Sequence, residues 1–281
     1  MRWRLIPFGS ANAFENMAID EAIFREHRRS NAPPTIRFYS WSPPSVSLGY
    51  FQAVSREVNI AACRQHSVDI VRRPTGGKAV HHENDLTYAL IADERNSLFP
   101  PDILGTYKVI SSCLALGLQE LGIEAEMESD GRSRGDATLS AACFSSPSRY
   151  ELLVNKKKIC GSAQLRSRGA FLQHGSLLID FEPAKTCALL LRQNGDHARQ
   201  IDILRQSVTS ICEQVGAPVS VDRVCRVMKK AFKKRLAIEL VEGPLTKEEE
   251  SLKRRLMDDK YMNDKWNMEG KVAGDGFQYS D

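Results

Sequence analysis

An α+β fold, with helices set around a mixed and largely antiparallel sheet, is what this sequence predicts, and three observations lead there. Strand-like runs and 3.6-period apolar runs are intermixed without the regular strand–helix–strand alternation of a parallel α/β protein. The 281 residues suffice to bury a full core. A composition that is 42% hydrophobic and 26% charged is that of an ordinary globular chain. No stretch is apolar for long enough to span a bilayer, and the N-terminal MRWRLIPFGSANAF lacks the core of a signal peptide. Seven cysteines, scattered without Cys-x-x-Cys or Cys/His spacing, argue for free thiols and against a disulfide framework or zinc site. The expectation is a cytoplasmic protein with no metal.

Taken in order, Asn12 and Glu15 read as a helix-capping pair, and Phe14, Met17, Ala18 and Ala22 supply an apolar helix face through His27. Strands are expected at Thr35 to Trp41 and Ser45 to Phe51, separated by a Pro-Pro turn. Ser55 opens a helix to about His66, and strands follow at Val68 to Arg73 and Asp85 to Ala92. Asp102 to Leu121 reads as a helix, IEAEME as a strand, and the polar stretch Ser129 to Ser140 as a loop. Tyr150 to Val154, a turn at Asn155 to Lys157 and the run from Lys158 form a hairpin, and Phe171 to Asp180 continues the sheet. Helices are then expected from Glu182 to Leu191, Gln200 to Val215 and Asp222 to Leu236. A charged helix starts at Thr246, paired with Glu249, and runs to about Trp266.

Two segments carry chemistry. In ACFSSPSRYELLVNKKKICGSAQ, Cys143 sits in a Ser/Pro loop, and Lys158 precedes a small-residue turn. A thiol is nucleophilic as thiolate, and a nearby ammonium favours that form, so the two would make an activated pair if the strands bring them together. The other cysteines mostly lie in apolar periodic runs and read as packing groups, with Cys160 the nearest rival. The second segment, RRPTGGKAVHH, is a basic, Gly-paired turn between strands. Gly76 and Gly77 permit close backbone approach, Arg73 and Lys78 suit an anion or carbonyl, and His82 suits binding or proton transfer. The spacing is not that of a P-loop.

Net charge is +4, but basic residues gather between Arg223 and Arg235 with apolar residues at helical spacing among them. This reads as an amphipathic helix with a basic face. No nucleic-acid-binding motif accompanies it, so an acidic protein is the partner that its charge suits.

Together, NMAIDEA, RFYSWSPPSVSLGYFQ, RRPTGGKAVHHENDLTYAL, the Cys143 segment and FLQHGSLLID resemble the lipoate–biotin protein ligase and transferase superfamily over roughly Asn12 to Val241. Within it, a cysteine ahead of SPS-x-YEL is similar to the Gram-positive octanoyl-[acyl-carrier-protein]:protein N-octanoyltransferases. The resemblance implies a biotin/lipoate protein ligase-like catalytic domain over 1–241, with a C-terminal helical extension over 242–281. It implies that Cys143 takes octanoyl from the acyl carrier protein as a thioester, with Lys158 lowering the thiol pKa. The chain would then pass to a lysine of a lipoyl domain such as the glycine-cleavage H protein. Arg73, Gly76, Gly77, His82, Gly161, Ser162, Ala163, His174 and Gly175 would line the acyl site. No cofactor, nucleic acid or membrane is implied, and a monomer is expected. His81 stands where the family usually has an apolar residue, and Lys78 where arginine is more usual. Three other readings stay open: an ATP-dependent lipoate ligase, an amidotransferase taking octanoyl from H protein, and an inert module binding lipoyl domains.

Overall fold

A computed structural model of the protein describes residues 1–30, 32–128, 151–190 and 197–270. Its large sheet has six strands: β1 (Arg2–Ala11), β2 (Thr35–Trp41), β6 (Asp85–Asp93), β10 (Cys160–Ser167), β11 (Ala170–Leu178) and β12 (Glu239–Glu242). They lie in the order β10-β11-β6-β2-β1-β12. The pairings from β10 to β2 are antiparallel, and those joining β2, β1 and β12 are parallel. The sheet is therefore mixed, as the sequence predicts. A parallel β1–β2 pair needs a crossover, and α1 (Ala13–Ser30) provides it, its first turn capped by Asn12 Oδ1 accepting from the Glu15 amide at 2.9 Å.

Chain direction changes sheets after Trp41. β3 (Ser45–Leu48) does not pair with β2 but centres a second sheet between β4 (Asp69–Arg72) and β5 (Val80–His82). The Gly-rich segment is thus a connection that passes over β3, parallel to β4 and antiparallel to β5, and not a hairpin. A third sheet joins β7 (Glu126–Met127), β8 (Leu152–Val154) and β9 (Lys157–Lys158). The expected hairpin is here: Asn155 and Lys156 both take positive φ, 50° and 65°, as a two-residue primed turn requires.

Elsewhere the boundaries differ from expectation for local reasons. The helix expected from Ser55 is two, α2 (Val54–Glu57) and α3 (Ile60–Gln65), because the Asn59 side chain accepts from the Ala62 amide and starts a new turn. The helix expected from Glu182 is α5 (Pro183–Leu189), and Gln200 to Val215 divides likewise into α6 (His197–Ser207) and α7 (Ile211–Val215), with Ser210 capping the second. Between them the Thr209 amide leaves helical bonding to reach Lys158 O at 3.0 Å. β1 and the short, exposed edge strand β12 are not anticipated, and the IEAEME strand shrinks to β7.

The strand period of two divides the core between the faces of the large sheet. On β6, Leu86, Tyr88, Leu90 and Ala92 pack towards α4 (Ile103–Glu120) and α8 (Val221–Leu236), with Ile110, Leu114, Met228 and Phe232 opposite them. Ala89 and Ile91 face the other way, onto α1 through Met17, Ala18 and Ala22. The second layer also receives the C-terminal segment. Thr246 and Glu249 form a reciprocal capping box at α9 (Lys247–Leu256), and π-helical turns follow at Met257–Tyr261 and Lys265–Glu269. Glu249 is fully buried and also holds Arg4 of β1 in a two-pronged pair at 2.7 and 2.6 Å. Glu21 of α1 receives Lys260 and the Tyr261 hydroxyl.

Trp266 is fully buried against Tyr50 and Tyr261 and donates its indole N–H to Arg72 O at 3.0 Å. Trp266→Ala removes that volume and bond and is expected to cost about 3–5 kcal/mol. The urea midpoint of the full chain would report it as a downward shift with an unchanged slope.

Candidate active site

The seam between the six-stranded sheet and the β4-β3-β5 sheet is a small cleft with a largely apolar lining. The large sheet and α1 contribute Met17, Tyr39, Trp41, Thr87, Gly161 to Ala163 and His174 to Ser176. The second sheet and its Gly-rich connection contribute Ser47, Arg73, Gly77, Val80 and His82. Register explains the convergence: Ser176 stands opposite Gly161 on one side and Thr87 on the other, and Thr87 stands opposite Tyr39. These rungs put the side chains of Ser176, Thr87 and Tyr39 and the bare backbone of Gly161 on one level. Of the residues expected to bind substrate, Arg73, Gly77, His82, Gly161, Ser162, Ala163, His174 and Gly175 line this cleft. Gly76 lies in the same connection but outside the lining.

Arg73 is spent on shaping the loop. Its guanidinium donates to Ser47 O and Oγ, each at 3.0 Å, and to the carbonyls of Gly76 at 3.0 Å and Lys78 at 2.7 Å. Gly77 takes φ +93°, a left-handed conformation that side chains resist. On the opposite wall, a Cβ at Gly175 would fall 2.5 Å from Ser162 Oγ and 2.6 Å from the Tyr88 ring. Ser162 Oγ meets the Tyr88 hydroxyl at 2.8 Å, and burial holds that phenol well above its usual pKa.

Two buried carboxylates stand behind the walls. Burial alone would raise the Asp20 carboxyl, but Arg37 at 2.7 Å and His174 at 3.4 Å outweigh it and hold Asp20 below its usual range. Ionised Asp20 accepts from His174 Nδ1–H, which leaves Nε2 to accept the Thr75 hydroxyl at 2.6 Å. Burial also keeps His174 neutral by lowering its pKa. Asp85 repeats the pattern: burial opposes its charge, but His82, Ser176 and Thr87 together depress its pKa. His82 Nδ1 lies 2.9 Å from Asp85 Oδ2, and Nε2 lies 2.8 Å from Ser47 Oγ. His81 points away, to Thr186 Oγ1 at 3.1 Å, so of this adjacent pair it is His82 that faces the cleft.

Cys143 lies outside the described residues. Lys158 is 2% exposed, and its Nζ is 2.7 Å from Glu151 Oε1. It stands in β9, two residues before β10, and is not among the cleft's lining residues. Cys160 is buried with its sulfur facing Ser162 Oγ at 4.0 Å. Burial pushes the thiols of Cys63 and Cys225 up to about 11 and that of Cys113 to about 12, which keeps them protonated. No cluster of potential metal ligands occurs among the described residues. Sequence reasoning missed Tyr39, Trp41, Ser47 and Thr87, and the charges at Asp20, Asp85 and Glu151. Asp85 and Thr87 left a signal, being polar residues on the strand face that Ala89 and Ile91 continue.

The lipoyl protein ligase A/B catalytic domain family matches residues 12–233. The chain belongs to that family. The octanoyltransferase LipM of Kyrpidia tusciae is 43% identical over 272 residues, covering 94% of this chain and 98% of the relative. That of Bacillus subtilis is 36% identical over 270 residues, covering 94% and 97%. Among solved structures, lipoate-protein ligase A bound with ATP superposes with a TM-score of 0.79 at 28% identity, covering 95% and 99% of the two chains. A bi-partite lipoate protein ligase from Thermoplasma acidophilum gives 0.80 at 26%, covering 97% and 98%. The family therefore accounts for the α+β architecture and for nearly the whole length. No helix among the described residues is long and apolar enough to cross a membrane.

His81 gives a pH test. Burial lowers its pKa to about 4, while an unfolded histidine titrates near 6.5. The unfolded chain therefore binds the proton first, and this contribution, full above about pH 6.5, fades as pH falls towards 4. Between pH 7 and 5 the wild type should lose about 2 kcal/mol more stability than His81→Phe, read from urea unfolding at each pH.

Proposed function

We propose that this protein transfers octanoyl from octanoyl-acyl carrier protein, through a thioester on Cys143, to a lysine of a lipoyl domain such as the glycine-cleavage H protein. The observation that carries this reading is near-full-length similarity to octanoyltransferases in a chain that has a cysteine ahead of the SPSRYEL segment. In the first step the Cys143 thiolate attacks the donor thioester, forming a new C–S bond and releasing the carrier's thiol after protonation. In the second, the acceptor amine displaces Cys143, giving an amide and returning the proton to the thiol. Thioester exchange is nearly thermoneutral and amide formation is downhill, so no ATP is consumed. Covalent transfer of this kind gives ping-pong kinetics.

The described residues support the parts that they reach. Met17, Tyr39, Trp41 and Val80 give the cleft an apolar lining suited to an acyl chain. Lys158 is buried next to the strand that carries Gly161 to Ala163, in an ion pair with the Glu151 carboxylate. The enzyme acts as a cytoplasmic monomer in this reading, without a bound cofactor.

Intact-mass analysis after incubation with octanoyl-acyl carrier protein, without ATP, tests the chemistry. A hydroxylamine-sensitive octanoyl adduct is expected on the wild type and not on Cys143→Ala. Octanoylation that instead needs free acid plus ATP and survives Cys143→Ala would establish a ligase.

The basic face of α8 is the expected dock for the acidic carrier. Arg223, Arg226, Lys230, Lys233, Lys234 and Arg235 are exposed, whereas Lys229 is half-buried and paired with Glu242. Charge reversal at Lys230, Lys233 and Lys234 should raise the Michaelis constant for the carrier about tenfold at low salt, with kcat little changed. An unchanged constant would remove this face from donor recognition.

A further inference from the structure

The inner end of the cleft is closed by a pair of rings that share one anchor. The Trp41 indole stacks on the His82 imidazole, with centroids 4.1 Å apart and planes 17° from parallel. Both rings engage their ring nitrogens in one hydrogen-bond network. Trp41 Nε1 donates to Thr87 Oγ1 at 2.8 Å, and that hydroxyl donates to Asp85 Oδ2 at 2.9 Å. His82 Nδ1 meets the same oxygen at 2.9 Å, and Ser176 Oγ donates to it at 2.6 Å. The three bonds converge on Oδ2, while Oδ1 of Asp85 is buried without a hydrogen-bond partner among the described residues. One oxygen atom therefore fixes two rings that come from different sheets.

Sheet order gives this closure a consequence. Lys158 lies just before β10, an edge strand, whereas Trp41 ends β2, three strands further in. At about 4.8 Å per strand, that is about 14 Å. An acyl chain whose carbonyl lies beside β10 runs over Ser176 and Thr87 and ends against the Trp41–His82 pair. The rings present flat apolar surface there, because each polar edge is already engaged: Trp41 Nε1 by Thr87, His82 Nδ1 by Asp85 and His82 Nε2 by Ser47.

We propose that Asp85 is a specificity-determining positioning residue that sets, through the ring pair it anchors, the longest acyl chain the cleft accepts. The inference rests on the octanoyl-transfer reading above. It predicts a change in chain-length preference, which a general loss of folded enzyme does not produce, because the ratio of two substrates cancels the active concentration.

The test compares kcat/KM for octanoyl-, decanoyl- and dodecanoyl-acyl carrier protein in wild type, Asp85→Ala and Thr87→Val. Thr87→Val keeps the side-chain shape and Asp85, and cuts only the Trp41 limb. Asp85→Ala is expected to raise the decanoyl-to-octanoyl ratio by at least tenfold, and Thr87→Val by about threefold. Equal losses on every chain length, with the ratios unchanged in both variants, would overturn the assignment and leave the network a purely structural one. Should Asp85→Ala fail to fold, the Thr87→Val ratio decides alone. A wild type that is inactive with every carrier thioester refutes the transfer reading instead. In that case the same ratios, measured with free acids and ATP, still decide for or against Asp85.

Discussion

Keeping carboxylates ionised in the interior, beside an apolar cleft, is the constraint on which the rest of this structure turns. Burying a carboxylate costs several kcal/mol unless donors replace the lost water, and removing one partner of such a group commonly costs 3–5 kcal/mol. Asp20 and Asp85 meet that cost with donors drawn from separate elements. Asp20 on α1 gathers Arg37 and Tyr39 from β2 and His174 from β11. Asp85 on β6 gathers His82 from the second sheet and Ser176 from β11. The net lowering of both pKa values means that the partners outweigh burial. Because Asp85 takes donors from both sheets, its charge is satisfied only when the second sheet sits against the first as it does at the cleft.

The C-terminal segment belongs to the same logic. Arg72, itself 1% exposed, sends its guanidinium to the carbonyls of Gly49, Tyr50 and Gln52 on one side and of Trp266, Asn267 and Met268 on the other. One cation thereby organises six carbonyl dipoles, and it links the final turns to the loop after β3. The Tyr50 amide in turn bonds Thr75 O, whose residue holds His174. Chain from beyond the family's matched region thus reaches the Gly-rich wall through two backbone steps. Its three anchors, Glu249, Glu21 and Arg72, are all buried charges, which ties its docking to geometry as well as to apolar area.

Much of this was legible in the sequence where one residue type has one physical use. The capping pairs Asn12/Glu15 and Thr246/Glu249, the hairpin at Asn155 and the glycines of the cleft each require local chemistry that side-chain identity alone supplies. Strand partners were not legible. β3 reads as the second arm of a turn from β2, yet it opens another sheet, because pairing is decided by surfaces distant in sequence. β1 escaped notice since Arg4 interrupts its apolar run, and Arg4 is inward only because Glu249, 245 residues later, receives it. The same limit hid Trp41 and Asp85. An aromatic at a strand end and an acid at a strand start look unremarkable until the Thr87 hydroxyl joins them.

The division of labour in the site follows from these distances. The polar groups at the inner end are satisfied by one another: Arg73 donates to Ser47, Ser47 meets His82, and His82 meets Asp85. A circuit closed in this way offers an acyl chain no unpaired donor, so it acts as an apolar wall with a rigid polar backing. The buried ion pair of Lys158 with Glu151 lies outside the cleft lining, on the short β9 just before the edge strand β10. In the octanoyl-transfer reading proposed above, chain measurement and bond making therefore occupy different parts of the fold, and a change in the chemistry beside Lys158 need not disturb the wall that would measure the chain. That separation gives a physical reason why one scaffold can serve both ATP-dependent ligation and direct acyl transfer.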